Sequence, residues 1–151
     1  MAMKHCIILH NQPIVRHLVF TVKHYVLSII CIAAVLCSCQ ETLEERGQRE
    51  ASDYTRKHCP TPVGEGITLD SMTFDAPSHT FSYCYTLSGV LDDSAAIWQD
   101  DPRALLLQQV KNSTHLRLYK EAGYSFRYVY YSTKHPGLSL FDNTFKAADY
   151  Q

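Results

Sequence analysis

No stretch of this 151-residue chain stays apolar for long enough to cross a bilayer as a helix, which takes roughly 20 residues. The longest apolar run, Tyr25 to Cys37, has 13 residues, with Lys23 and His24 just upstream. Acidic residues are missing from the front of the chain: all 15 Asp and Glu lie after residue 39. Before that point the only charges are Lys4, Arg16 and Lys23; behind it 11 Lys and Arg face 15 acids, a net charge of −4. An acidic domain lacks the basic face that phosphate backbones require, so nucleic acid is excluded as a partner. Catalytic signatures are missing too: there is no G-x-S-x-G, no H-E-x-x-H and no P-loop. The absence of C-x-x-C excludes thioredoxin-like redox work. His58-Cys59 and His79-x4-Cys84 fit no recurring zinc spacing. Asp92-Asp93 and Asp100-Asp101 each precede a helix start, where capping accounts for them, and neither has the spacing of a calcium loop. No metal and no cofactor is expected.

A short apolar core behind positive charge has the pattern of an export signal. It ends in Leu36-Cys37-Ser38-Cys39, with Leu at −3, a small residue at −1 and Cys at +1. This resembles the lipobox of bacterial lipoprotein precursors. The resemblance implies diacylglycerol transfer to the sulfur of Cys39, cleavage before that residue, and a mature protein held to a membrane by lipid. A thiolate is the nucleophile such a thioether needs. Cys37, behind Ala33-Ala34-Val35-Leu36, is a second candidate acceptor, and an uncleaved signal anchor is the competing reading. Met1 to Thr21 is long for a signal's front end, so translation starting near Val22 is a further expectation. Position +2 is Gln40 followed by Glu41, Glu44 and Glu45. That pattern resembles the surface-export signal of some Gram-negative lipoproteins, and equally suits a solvated tether.

The division expected is a signal over 1–38, an acidic tether and N-terminal helix over 39–58, and one domain over 59–151. The helix should span Glu44 to Lys57, with Pro60 and Pro62 ending it. Ile67 to Phe74 alternates with one slip near Ser71; Thr80 to Leu87 alternates cleanly, with Phe81, Tyr83, Tyr85 and Leu87 on one face. Asp75-Ala76-Pro77-Ser78 between them is turn chemistry, which makes a hairpin. A short helix or turn should hold Ile97 and Trp98. Asp101-Pro102 predicts a helix start, with Leu106 or Leu107, Val110, Thr114 and Leu118 on one side as far as about Lys120. Tyr124 to Ser132 sets Tyr124, Phe126, Tyr128 and Tyr130 against Arg127, Val129 and Tyr131. His135-Pro136-Gly137 predicts a turn back into Leu138 to Phe141, and a helix over Asn143 to Asp149 follows. The fold class expected is α+β: about four antiparallel strands, as two hairpins, with helices on one face.

Cys59 and Cys84 are the one candidate disulfide pair left beside a lipidated Cys39. The candidate binding surface is Tyr83, Tyr85 and Tyr128 with Arg127 and Tyr131. An exposed tyrosine face offers rigid amphipathic contact area, whereas a covered one is core whose hydroxyls need partners. The leading expectation is a non-catalytic domain that binds an envelope protein or glycan from a lipid anchor in the cell envelope. Two rivals stay open: an enzyme or accessory acting on cell-wall or glycan substrates, and an immunity or inhibitor protein. A concave pocket lined by two or more of Asp70, Asp92, Asp93, His79 and Arg127 would favour the enzyme.

Overall fold

The computed structural model describes residues 41–93, 95 and 101–151. The signal segment with Cys39, and the turn expected around Ile97 and Trp98, lie outside the described residues.

The first helix, α1, runs Leu43–His58. Its start is a capping box: the Glu45 N–H donates to the Thr42 hydroxyl at 3.1 Å, and the Thr42 N–H donates to the Glu45 carboxylate at 2.9 Å. Arg56, Lys57 and His58 fill the last turn, where the helix dipole favours cations. Along the helix run the ion pairs Arg46–Glu50 and Arg49–Glu41, and Asp53 meets both Arg56 and Lys57. What α1 buries is small, Gly47 and Ala51, and that lets the backbone lie close on the sheet. Thr55 fixes its far end, donating to the Met72 carbonyl at 2.7 Å and accepting from the Met72 N–H at 2.8 Å.

Five strands form one sheet in the order β1-β2-β3-β4-β5: Thr61–Gly64, Ile67–Asp75, Thr80–Leu87, Ser125–Ser132 and Ser139–Phe145. The sheet is mixed, not four-stranded and antiparallel, because β3 and β4 pair in parallel. The physical reason lies between them: helices occupy that connection, and a crossover over one sheet face returns the next strand in the same direction. β1, the strand that sequence reading missed, has four residues and a proline at the sheet edge. The slip near Ser71 is a bulge at Asp70: Leu69 faces Tyr85 and Ser71 faces Cys84, so one residue is extra.

The crossover holds α2, Pro102–Asn112, capped by the Asp101 carboxylate, and α3, Arg117–Glu121. One continuous helix was expected. It breaks at Ser113, whose N–H turns back to Val110, and the Lys120 ammonium caps α2 through the carbonyls of Val110 and Lys111. The break shifts the register, so Leu106, Val110, Leu116 and Tyr119 are buried and Leu118 is exposed. β5 extends to Phe145, leaving a terminal helix α4 of only Ala147–Tyr150.

All helices whose core contacts are defined pack on one sheet face. That core joins Ala51, Phe74, Phe81, Leu106, Val110, Tyr119, Tyr124, Phe126 and Phe145. The opposite face carries Ser71, Thr73, Ser82, Cys84, Thr86, Arg127, Val129 and Tyr131, as the alternation and register dictate. Among the described residues no helix is long and apolar enough to cross a membrane.

Candidate functional site

Phe81, Tyr83 and Tyr85 stand on the helix-bearing face of β3, in register with Phe126, Tyr128 and Tyr130 of β4. In-register parallel pairing brings like side chains side by side. Tyr83 stacks on Tyr128 with ring centroids 5.0 Å apart, and Tyr85 on Tyr130 at 4.6 Å. Tyr85 and Tyr128 complete the row at 6.4 Å with planes 9° apart. Tyr85 and Tyr128 thus each stack on two rings, and Tyr83 and Tyr130, at the ends of the row, on one.

At one end of this face the rings are covered. Tyr119 packs edge-on against Phe81, and Phe74 stacks on Tyr124. Both tyrosine hydroxyls there meet carboxylates of α1: Tyr119 donates to Glu50 and Tyr124 to Glu44, each at 2.9 Å. His79 stacks on Tyr124 at 4.9 Å, and its Nε2 lies 3.3 Å from the Glu44 carboxylate.

Toward the other end the helices leave a groove of about 970 Å³. Its floor is Ile67, Leu69, Met72, Tyr83, Tyr85 and Tyr130. One wall is α1 from Arg46 to His58; the other is Gln109, His115 and Leu116 at the α2–α3 junction. No hydrogen bond among the described residues reaches the hydroxyls of Tyr83, Tyr85 or Tyr130. Burial pushes the pKa of all three above the ordinary tyrosine value, Tyr130 to about 12, so they stay protonated donors at neutral pH.

The sequence-based surface is thus split. Tyr83 and Tyr85 line the groove. Tyr128 is buried beneath it. Arg127 and Tyr131 are on the opposite face, where the Arg127 guanidinium makes two hydrogen bonds to Asp142. Tyr130, which shares the aromatic face of its strand with Tyr128, also lines the groove, and so do Tyr54, Arg49 and His115, which carry no periodic signal that would have marked them. The residues of the enzyme alternative do not converge. Thr86 donates to Asp70 at the bulge. The Asp92 carboxylate accepts the Lys134 backbone N–H at 2.7 Å. His79 sits beside Glu44, and Arg127 is taken by Asp142. Among the described residues no group of three metal-ligand side chains forms.

The candidate disulfide is not formed: Cys59 and Cys84 are both free thiols. Cys59 precedes β1 and Cys84 is on β3, with β2 between them. With β2 in between, β1 and β3 stand about 10 Å apart, more than the ~7 Å Cα limit of a disulfide.

Fold and groove together define a small α+β domain: a five-stranded mixed sheet with helices on one face and a tyrosine-floored cleft between them. Residues 42–141 match the family described as a domain of unknown function, DUF8479, and the chain belongs to that family. No curated protein matches the sequence. Among solved structures the fold is similar to that of a Pseudomonas aeruginosa protein described as secreted, with a TM-score of 0.62 and 16% identity over 72% of this chain and 93% of that one. It is also similar to the pilotin EpsS of the Vibrio vulnificus type 2 secretion system, with a TM-score of 0.53 and 13% identity over 72% and 92% of the two chains. For the type II secretion pilotin AspS of Vibrio cholerae the values are 0.51 and 16%, over 71% and 91%. At these identities the likeness is one of fold.

Proposed function

We propose that this protein is a non-catalytic envelope lipoprotein whose domain holds a segment of another envelope protein in the groove between α1 and the α2–α3 junction. The groove itself carries the reading: it is concave, mostly apolar on its floor, and the hydroxyls of Tyr83, Tyr85 and Tyr130 there have no hydrogen-bond partner of their own, as suits a binding site. The fold it shares with a secreted protein and two secretion-system pilotins supports an envelope role. The separation of Asp70, Asp92, His79 and Arg127 supports binding over catalysis.

The anchor in this proposal is a lipid on Cys39, resting on the lipobox resemblance. Gln40, Glu41 and Thr42 are all that separate Cys39 from α1. Four residues of extended chain reach at most about 14 Å, so such a lipid would keep the domain against the bilayer surface rather than on a long tether.

Photo-crosslinking in the native cells tests the groove. A benzoylphenylalanine in place of Tyr85 should give a protein adduct, while the same group at Thr73, exposed on the opposite sheet face, should not. No adduct at 85, or equal adducts at both positions, would sink the reading.

A further inference from the structure

We infer that the groove selects its occupant by carboxylates: it takes an apolar peptide segment bearing Asp or Glu, which accept hydrogen bonds from Tyr83, Tyr85 and Tyr130. This rests on the groove being the binding site. The observation behind it is an arrangement the protein already uses on itself. On the same sheet face, Tyr119 and Tyr124 each donate to a carboxylate, Glu50 and Glu44, presented by α1 across the sheet. Tyr83, Tyr85 and Tyr130 continue that tyrosine surface, but no α1 carboxylate accepts a hydrogen bond from them. Asp53, the acid nearest in sequence along α1, is held by Arg56 and Lys57. Thr55 is committed to the Met72 backbone. Three donors thus stand on the apolar floor of the cleft without a hydrogen-bond acceptor of their own, and donors in such surroundings gain most from a charged acceptor.

The carboxylates on the walls are engaged elsewhere: Glu50 accepts from Arg46 and Tyr119, and Asp53 from Arg56 and Lys57. Three features favour a peptide over other anionic amphiphiles. Seven α1 residues from Arg46 to His58 border the cleft, a span of about 18 Å along the helix. Tyr83 and Tyr85 are two residues apart on one strand, about 7 Å, and Tyr130 stands on the next strand. Donors distributed in this way suit a chain with repeated polar groups, whereas a fatty acid has one carboxylate at its end. Tyr85, stacked between Tyr128 and Tyr130, also has no open ring face for a sugar to lie on.

The test uses the full chain in non-ionic detergent and two fluorescein-labelled peptides of fourteen residues. One is leucine-rich with glutamate at every fourth place; the other is its glutamine twin. A chain carrying Tyr83→Phe, Tyr85→Phe and Tyr130→Phe keeps the ring stacking and loses only the hydroxyls. It also reports any partition of peptide into micelles. The glutamate peptide should bind at least ~10-fold more tightly than its twin, in line with a hydrogen bond to a charged group. The triple variant should lose that preference at unchanged melting temperature, and lauric acid should not displace the peptide at equal concentration. Equal binding of the twins, a preference that persists in the triple variant, or displacement by lauric acid would each overturn the inference while leaving the groove as a binding site. Binding of neither peptide would overturn it together with the reading of the groove.

Discussion

Gly47 sets how closely α1 approaches the sheet, and replacing it has a consequence that can be worked from the geometry. A Cβ at Gly47 would stand 3.1 Å from the Phe81 ring tip and 3.3 Å from two Phe74 ring atoms. Neither ring can retreat far. Phe81 is 2% exposed and closed on its other sides by Tyr119 and Phe126; Phe74 is 6% exposed and stacked on Tyr124. Alanine brings about 1 kcal/mol of helix propensity over glycine, which offsets a contact only a few tenths of an ångström too tight. Gly47→Ala should therefore lie within about 1 kcal/mol of the parent. Leucine has no such escape. Its further three carbons must enter the space held by the two rings, so α1 lifts and the Tyr119–Glu50 and Tyr124–Glu44 bonds stretch. Overpacking of this kind should take at least about 2 kcal/mol from the stability, or a fall of roughly 8 °C or more in melting temperature. Urea titration followed by far-UV circular dichroism gives the free energy directly. A Gly47→Leu protein as stable as the parent would refute the close packing of α1 on β2 and β3.

Further outcomes follow from single contacts. The Glu44 carboxyl is held below its ordinary pKa by its own backbone N–H first and by the Tyr124 hydroxyl next. A folded-state pKa below the unfolded one means a contribution present above the unfolded value, near 4.5, and lost as pH falls through the folded value. The stability gap between parent and Glu44→Gln should thus be open at pH 7 and close toward pH 3; urea midpoints across that range would show a constant gap if the contact were absent. Dithiothreitol should leave the melting temperature unchanged, because Cys59 and Cys84 are unpaired; a drop of several degrees would mean that they are bridged. For the proposed anchor, a radioactive fatty acid should label the parent and not Cys39→Ala. Label retained in that variant would move the acceptor to Cys37 or elsewhere, and none in either would remove the lipid from the proposal.

Local periodicity reads well where one face of an element is buried. The alternation of Phe81, Tyr83, Tyr85 and Leu87 and that of Phe126, Tyr128 and Tyr130 are the faces the structure uses, and even the slip near Ser71 marks the bulge at Asp70. Pairing is a different matter, because it depends on residues far apart in the chain. β3 and β4 look like members of two separate hairpins, and only the helical crossover between them decides that they lie parallel. That pairing is also what makes the candidate site. Two hairpins placed side by side in antiparallel fashion would set Tyr83 and Tyr85 against other partners, whereas parallel register lays Tyr83 on Tyr128 and Tyr85 on Tyr130. The stacked block then turns its hydroxyls toward α1, a helix whose sequence shows only a thin apolar stripe. The stripe is thin because Gly47 and Ala51 are enough where backbone meets rings, and because carboxylates at Glu44 and Glu50 satisfy the tyrosines beneath. Where the next α1 carboxylate, Asp53, is taken up by Arg56 and Lys57, the hydroxyls are left open. The boundary between core and groove is therefore a boundary in acceptor supply, and it is along that boundary that a partner able to bring its own acceptors would be recognised.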